Sequence, residues 1–432
     1  MDGTAKLRER HDFLDRCMRC SHCKFVTTPK SREFASVCPS MDYGEFHAYS
    51  ASGQLIMASG LLHGEIDYTE RLTEIVSACT MCGGCDPSCK LNFGETVEPL
   101  DGLYAFRAKI VEDGRSPYTH KDIMARIAET GNAQGKPAAR RADWTDGLKG
   151  TLAKDGAADI LLHVGSTLAY DQSKHETLRR IADTLMASGI RVRNLGREEG
   201  SSGSTAFDLG YQDEARRLGQ AFLQQVGTSG AKTVVTLSAA ALAAWRAIYP
   251  RLGLSFGGVR VLHITEYLLE LADAGTVLLS SSDTSSGPVA YHDPCKLGRL
   301  SEVWEPRDLS LERVPAGIYI SKAPDKLRYG NNGCYEAPRE ILRRIGLDVV
   351  ELERNRHSSF CCGANGGVTE AVPEAASKAA KSRLAELPQT GCATMVSGCG
   401  NCASHMNRNA EGAPVVDLLD MIAASLQAGK GA

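Results

Sequence analysis

Fifteen cysteines divide this chain of 432 residues into two thiol-rich ends and a middle without any. Eight lie before residue 90, none between 90 and 294, and seven from Cys295 onward. The N-terminal stretch MDGTAKLRER holds no apolar run of the kind that directs export, so the expectation is a cytoplasmic chain. In reducing compartments disulfides are rare, and cysteine clusters bind metal or carry redox chemistry. Thiolates are soft ligands that favour iron–sulfur clusters, zinc or copper(I). Spacing then has to say how many thiol sites are built and which metal each takes.

Near the N-terminus, Cys17-x2-Cys20-x2-Cys23 is followed by Cys38-Pro39, and later by Cys79-x2-Cys82-x2-Cys85-x3-Cys89. Two triplets and two remote cysteines use all eight thiols. Zinc is the weaker alternative, because its usual motif is paired CxxC rather than triplets. The second run is similar to the bacterial ferredoxin pattern, with Lys90 where proline is usual. In two-cluster ferredoxins the fourth cysteine of each run serves the other cluster. That resemblance implies one [4Fe-4S] cluster on Cys17, Cys20, Cys23 and Cys89. It implies a second on Cys79, Cys82, Cys85 and Cys38. Between the runs, Tyr43–Ser77 reads as helix, with Leu55, Ile56, Leu61, Leu62, Leu72, Ile75 and Val76 at helical spacing. An all-helical ferredoxin domain over residues 1–145 is expected, closed by a linker at Asn132–Pro137.

The remaining chain repeats itself. Asp159–Gly165, an apolar strand leading to Ser166, matches Val289–Asp293 leading to Cys295. Ser201-Ser202-Gly203 matches Cys361-Cys362-Gly363, and Ser238-x2-Ala241 matches Cys399-x2-Cys402. The intervals are 34 and 35 residues in the first copy and 65 and 36 in the second. The excess of 31 is assigned to an insertion around Glu302–Asn332. Each copy closes with strand then helix, Val259–Leu271 against Pro414–Leu426. Helical patterns at Glu176–Ala187, Gln212–Gln225 and Ala375–Ala385 alternate with the strands, which argues βαβ units and a parallel sheet. Sites in such sheets form beyond the carboxyl ends of strands, where Ser166, Ser238, Cys295 and Cys399 fall. The fold class expected is multidomain, with the helical ferredoxin domain followed by two duplicated α/β, Rossmann-like domains over 146–285 and 286–432.

These motifs resemble the CCG-domain (cysteine-rich) iron–sulfur family, which includes the D-type subunits of heterodisulfide reductases, DsrK-like subunits and the iron–sulfur subunits of glycolate oxidases. His292-Asp293-Pro294-Cys295, Glu336–Arg343 and Cys361-Cys362-Gly363 look closest to the D-type heterodisulfide reductase branch. The resemblance implies an additional, noncubane [4Fe-4S] cluster on Cys295, Cys361, Cys362, Cys399 and Cys402. An ordinary cubane or zinc is the bland alternative. Serine and alanine at 166, 201, 202, 238 and 241 replace every ligand of the first copy, so its site is expected folded but empty. Cys334 and Cys392 read as spare thiols, although Cys334 competes with Cys295 by its position. His292 reads equally as a hydrogen-bond donor to a cluster sulfur or as a satisfied strand-end residue. Lys296 and Arg299 either compensate cluster charge, bind an anionic substrate or, more commonly for such residues, lie on solvated faces. Gly363, Gly366 and Gly367 suit close backbone approach to the cluster.

Composition narrows the function classes. A formal charge of −3 gives no basic excess for nucleic acid. No apolar run approaches the roughly 20 residues that span a bilayer, so membrane association would come through a partner subunit. The resemblance implies an electron-transfer subunit of a heterodisulfide reductase-like redox complex. Its partners would be a flavoprotein, an electron-transferring flavoprotein or a membrane quinone-linked subunit. The alternative is a catalytic subunit that reduces a disulfide or related sulfur substrate at the C-terminal cluster; the catalytic residues are not assigned.

Overall fold

The computed structural model describes residues 14, 16–94, 97–280, 287–306, 311–315, 318–321, 327–412 and 414–429. The chain is mixed α/β, with a helical N-terminal section followed by parallel sheets. The expected Tyr43–Ser77 helix is broken into three: Pro39–Gly44, Ala51–His63 and Glu70–Ser77. The breaks have local causes. Ser50 caps the second helix by accepting from Gly53 N, and Thr69 caps the third by accepting from Leu72 N. Gly64, in the left-handed region, ends the helix before it. A longer helix, Pro99–Glu112, lies across them and buries Leu103, Phe106 and Ile110.

The expected linker at 132–137 is a fixed turn. Asn132 is buried, and its Nδ2 donates to Thr130 O at 3.0 Å and Lys136 O at 2.7 Å. Its Nδ2 also donates to Tyr170 OH at 3.3 Å, and Ala133 packs against the core beside it.

Strands β1 (Ile160–His163), β2 (Val192–Arg193), β3 (Thr233–Thr236) and β4 (Arg260–His263) form a parallel sheet in the order β2-β1-β3-β4. After β5 (Val277–Leu279), the chain enters β6 (Val289–His292) and then a hairpin of β7 (Leu311–Val314) and β8 (Ile318–Ser321). The hairpin falls within the expected insertion, much of which lies outside the described residues. Strands β9 (Val349–Glu351), β10 (Met395–Ser397) and β11 (Val415–Asp417) join β6 in a second parallel sheet, ordered β9-β6-β10-β11. Counted within each section, both sheets read second-first-third-fourth. A last strand, β12 (Leu426–Ala428), pairs antiparallel with β5.

The two sheets share one core, in which Ile160, Leu162, Val289, Tyr291 and Val396 meet. Around it the helices cross over between sections. His175–Ala187 packs on Leu418–Ser425, and Ile264–Asp273 packs on Glu336–Arg344. Each pairs an early helix of one section with the last helix of the other.

The N-terminal section docks over both. Helix Pro39–Gly44 packs on Pro373–Leu384, and Arg354 donates to Ser36 O at 2.7 Å. Among the described residues no helix is long and apolar enough to cross a membrane.

A buried charge cluster lies beside the second triplet. Lys90, at the place where proline is usual, bridges Asp86 at 3.1 Å and Glu98 at 3.3 Å. Burial raises Glu98 to about 7, and neighbouring Asp101 pushes the same way. The folded chain therefore holds this proton more tightly than the unfolded chain, whose carboxyl titrates near 4.5. The associated stability is full below that value and is lost as pH rises through about 7. Glu98→Gln should flatten this part of the pH dependence in denaturant unfolding of anaerobic protein. An unchanged slope would remove Glu98 as its source.

Candidate metal centre

Three groups of cysteines gather in the fold. Cys17, Cys20, Cys23 and Cys89 line one cavity together with Ser52, Leu55 and Phe93. Cys38, Cys79, Cys82 and Cys85 line another, under Pro39 and Leu103. The three thiols of each triplet line one cavity, and the fourth comes from the other run. Burial pushes the Cys23, Cys38, Cys79, Cys85 and Cys89 thiols up from the ordinary thiol range. Without metal such groups keep their protons, so binding a metal through them releases protons. All fifteen cysteines are free of disulfides.

The third group lies beyond the carboxyl ends of β6 and β10. Cys295 follows β6 by three residues, and its Sγ lies 3.9 Å from Cys361 Sγ. Asp293 shapes this loop. Its carboxylate accepts from Arg339 at 2.7 and 2.8 Å and from Arg356 N at 2.7 Å. Cys399 caps helix Gly400–Asn409 after β10, which brings Cys402 inward on the first turn. Cys361, Cys362 and Cys402 are each about 1% exposed. Hydrogen bonds from Cys361 and Cys402 hold Cys362 well below the ordinary thiol range.

Cys82 joins this group from the N-terminal section. It packs with Cys295, Cys361 and Leu300. Contact with the Cys361 thiol, with Arg299 nearby, holds the Cys82 thiol well below the ordinary range. The second and third groups are thus in sulfur contact across a junction between sections. Arg299 bridges that junction: Nε donates to Cys82 O at 2.7 Å, and Nη1 to His357 O at 3.0 Å and Ser359 O at 2.6 Å. Lys296 pairs with Asp208 at 2.6 Å. Both cations were expected on solvated faces, yet they are buried, at 2% exposure for Lys296 and 5% for Arg299. Their cover comes from distant sections of chain, which local polarity does not reveal.

His292, at the end of β6, is fully buried. Its Nδ1 accepts from Arg383 Nε at 2.9 Å, so the neutral ring carries its proton on Nε2. Nε2 has no conventional partner. A ring nitrogen of His292 and the sulfurs of Cys362 and Cys402 lie within 4.8 Å of one another. The Nε2–H therefore faces sulfur.

The glycines expected to approach a cluster also allow close packing, within the section at Gly363 and between sections at Gly366. A side chain on Gly363 would meet Ala376 O, and one on Gly366 would meet the Thr80 backbone. Each has a positive φ, +95° and +72°.

The serine positions of the first sheet section show local geometry like that of the cysteine site. Gly203 N donates to Ser201 Oγ at 3.3 Å, as Gly363 N donates to Cys361 Sγ at 3.4 Å. A side chain on Gly203 would meet Ala215 O, as one on Gly363 would meet Ala376 O. Ser238 N donates to Thr236 Oγ1, as Cys399 N donates to Ser397 Oγ. Ser166, Ser201, Ser202 and Ser238 line a cavity of about 550 Å³ whose opposite wall includes Cys399. Cys392 is buried beside Leu387 and Met395, and Cys334 lies near Thr265 in an apolar cluster that Cys399 also packs against.

Soft sulfur donors in three sets, one with a buried N–H aimed at sulfur, fit iron–sulfur clusters by donor chemistry. Comparison with known proteins agrees. Residues 13–93 match the 4Fe-4S dicluster domain, and residues 327–407 match the cysteine-rich (CCG) domain. The second match begins after Cys295, which the fold brings to the site.

The chain is 26% identical to the D-type subunit of the dihydromethanophenazine:CoB–CoM heterodisulfide reductase of Methanosarcina barkeri, over 96% of this chain and 94% of that protein. It is 24% identical to a probable membrane-anchored ferredoxin of Chromohalobacter salexigens, again over 96% of this chain but only 60% of that protein. It is 26% identical to the EtfAB:quinone oxidoreductase of Syntrophomonas wolfei, over 82% of this chain and 48% of that protein.

Proposed function

We propose that this chain is an iron–sulfur electron-transfer subunit of a heterodisulfide reductase-like redox complex. In this reading residues 1–145 form a ferredoxin domain. Residues 146–285 and 286–432 are two copies of one Rossmann-like unit, of which the second alone keeps its ligands. The common sheet order, the crossed helix pairs and the matched hydrogen bonds support the duplication. Cys17, Cys20, Cys23 and Cys89 would hold one [4Fe-4S] cluster, and Cys79, Cys82, Cys85 and Cys38 a second. Cys295, Cys361, Cys362, Cys399 and Cys402 would hold a third, noncubane one. Bound there, such clusters accept and release single electrons. Partners are a flavoprotein, an electron-transferring flavoprotein or a membrane quinone-linked subunit.

The contact of Cys82 with Cys361 carries the reading. It sets the ligands of the second and third sites within van der Waals reach, with no intervening side chain. Arg299 places a buried positive charge beside both ligand sets, where it favours the more negative, reduced form of each site. His292 donates toward the sulfur of the third. His292→Leu should therefore lower the midpoint potential of the third site alone. The expected shift is about 60 mV, which corresponds to about 1.4 kcal/mol for one electron. Equal shifts at all three sites in a redox titration followed by EPR would count against this placement.

Anaerobic purification with iron, sulfide and zinc analysis tests the metal assignment. Three four-iron clusters give roughly twelve irons per chain. Zinc without sulfide would sink it. A second reading, sulfur chemistry at the third site, is favoured by one observation: Cys399 is half-buried and opens on the 550 Å³ cavity. A new EPR signal on adding thiol to oxidised protein selects that reading, and an unchanged spectrum selects electron transfer alone.

A further inference from the structure

Charge along the first cysteine run is one-sided. From Arg16 to Arg32 the chain carries five cations and no carboxylate side chain, against a formal charge of −3 for the whole. Arg19, Lys30 and Arg32 are exposed, and Lys24 is half-buried. Among the described residues none of these four meets a carboxylate. Two acids near the far end of the stretch are engaged: Glu33 accepts from Gln389 Nε2 at 3.2 Å, and Glu353 from Ser31 N and Oγ at 2.8 Å.

Cys20 lies within this stretch and is the one exposed cysteine of the fifteen. Arg19 and Ser21, on either side of it, both adopt left-handed backbone, with φ of +57° and +70°. That region is unfavourable for residues with a side chain, so the turn that presents Cys20 is held against the backbone's own preference. Apolar side chains stand out on the same segments. Met18 is 72% exposed and Phe25 47%. Phe25 O accepts from Ser88, beside Cys89. Leu91, 39% exposed, lies on helix Cys85–Phe93, whose Phe93 ring is 5.8 Å from that of His22. Methionine, phenylalanine and arginine are residue types enriched where proteins meet.

A cationic rim with apolar points selects an anionic partner, because complementary charge steers encounter and like charge repels the wrong one. The exposed sulfur within it selects among anionic partners. A lipid surface makes no use of a metal-ligating thiol at the contact, whereas a carrier of single electrons needs its own centre brought close to one. We propose that this rim docks a small acidic protein that carries one electron at a time. The proposal rests on the assignment of the first site to iron and sulfur, and adds to it the face and the charge of the partner. In the transfer one electron leaves the reduced carrier and enters the first site; no bond forms or breaks, and the balance needs no proton. Encounters of this kind bury less than about 1,200 Å², so charge carries much of the attraction and salt weakens it.

Flavodoxin, an acidic one-electron carrier, is the probe, and basic cytochrome c the control. Each is added to the anaerobically purified full chain, with iron and sulfide measured on the same samples. Flavodoxin should bind saturably at about 10 mM salt and at least about tenfold more weakly at about 100 mM, as the screening length falls from about 30 to about 10 Å. Arg19→Glu combined with Lys24→Glu should slow its association about tenfold. Lys24→Glu alone, with a smaller effect in the same direction, decides the question if the double variant fails to fold. Reduction by reduced flavodoxin should slow in proportion, while the extent of reduction by dithionite stays the same. An unaltered association rate in both variants, equal binding of cytochrome c, or displacement of flavodoxin by phosphatidylserine vesicles overturns the proposal. Binding is read without the clusters, so a chain devoid of iron sinks the metal assignment and leaves the docking result standing.

Discussion

Exchanging Arg107 for methionine should destabilise the chain by roughly 4 kcal/mol or more, since each buried group left unpaired costs about 1–3 kcal/mol. Arg107 is 3% exposed and gives four hydrogen bonds to main-chain carbonyls. Nη1 donates to Asp208 O and Gly366 O, each at 2.7 Å. Nη2 donates to Val76 O at 3.0 Å and Cys79 O at 2.6 Å. Those acceptors belong to the N-terminal section, the first sheet's section and the second's, so one side chain ties all three. Methionine fills much of the same apolar volume, which confines the loss to the polar contacts. Lysine keeps the charge but lacks the planar fork, and Arg107→Lys should fall between the two. Denaturant unfolding of anaerobic protein measures both. A loss within about 1 kcal/mol for methionine would mean that water replaces the guanidinium freely and that the clamp is not structural.

The second large effect concerns Cys361, whose thiol meets Cys82, Cys295 and Cys362. Cys361→Ser should reduce iron from roughly twelve to roughly eight per chain and abolish the EPR signal of the C-terminal site. Serine is close in size, so the loss reports sulfur ligation rather than packing. Cys392→Ser and Cys334→Ser act as controls and should keep full iron. Cys361→Ser with undiminished iron would refute the ligand set. Loss of the same signal in Cys334→Ser would replace one of its members.

Much of this arrangement was legible in the chain because its signals are local. Apolar runs place β6 to within a residue and β1 to within two, and periodicity finds the helices at 175–187, 212–229 and 373–384. The short spacing of Cys79, Cys82 and Cys85 points to a shared site because so few residues lie between them, and Cys38 joins them there. What escaped was decided across sections. Nothing near Cys82 announces Cys361, and nothing near Arg299 announces that the Cys82 carbonyl will receive its Nε. Lys90 looked like a lapse from a ferredoxin pattern; it is one member of a buried ion cluster with Asp86 and Glu98. The Tyr43–Ser77 helix was overextended because its caps, Ser50 and Thr69, look like ordinary polar residues until their hydroxyls are seen to accept.

The cover over Cys82 has a consequence for how the protein is made. Cys82 is 6% exposed, under Leu300 and Cys361. Synthesis runs from the N-terminus, so Cys82 is made long before the residues that hide it. A metal donor arriving in that interval meets an open thiol. One arriving after the last section has docked meets a closed one. If Cys38, Cys79, Cys82 and Cys85 hold a cluster, Cys82 is open to a metal donor before the C-terminal section docks and covered afterwards, while Cys38 and Cys79 stay half-buried.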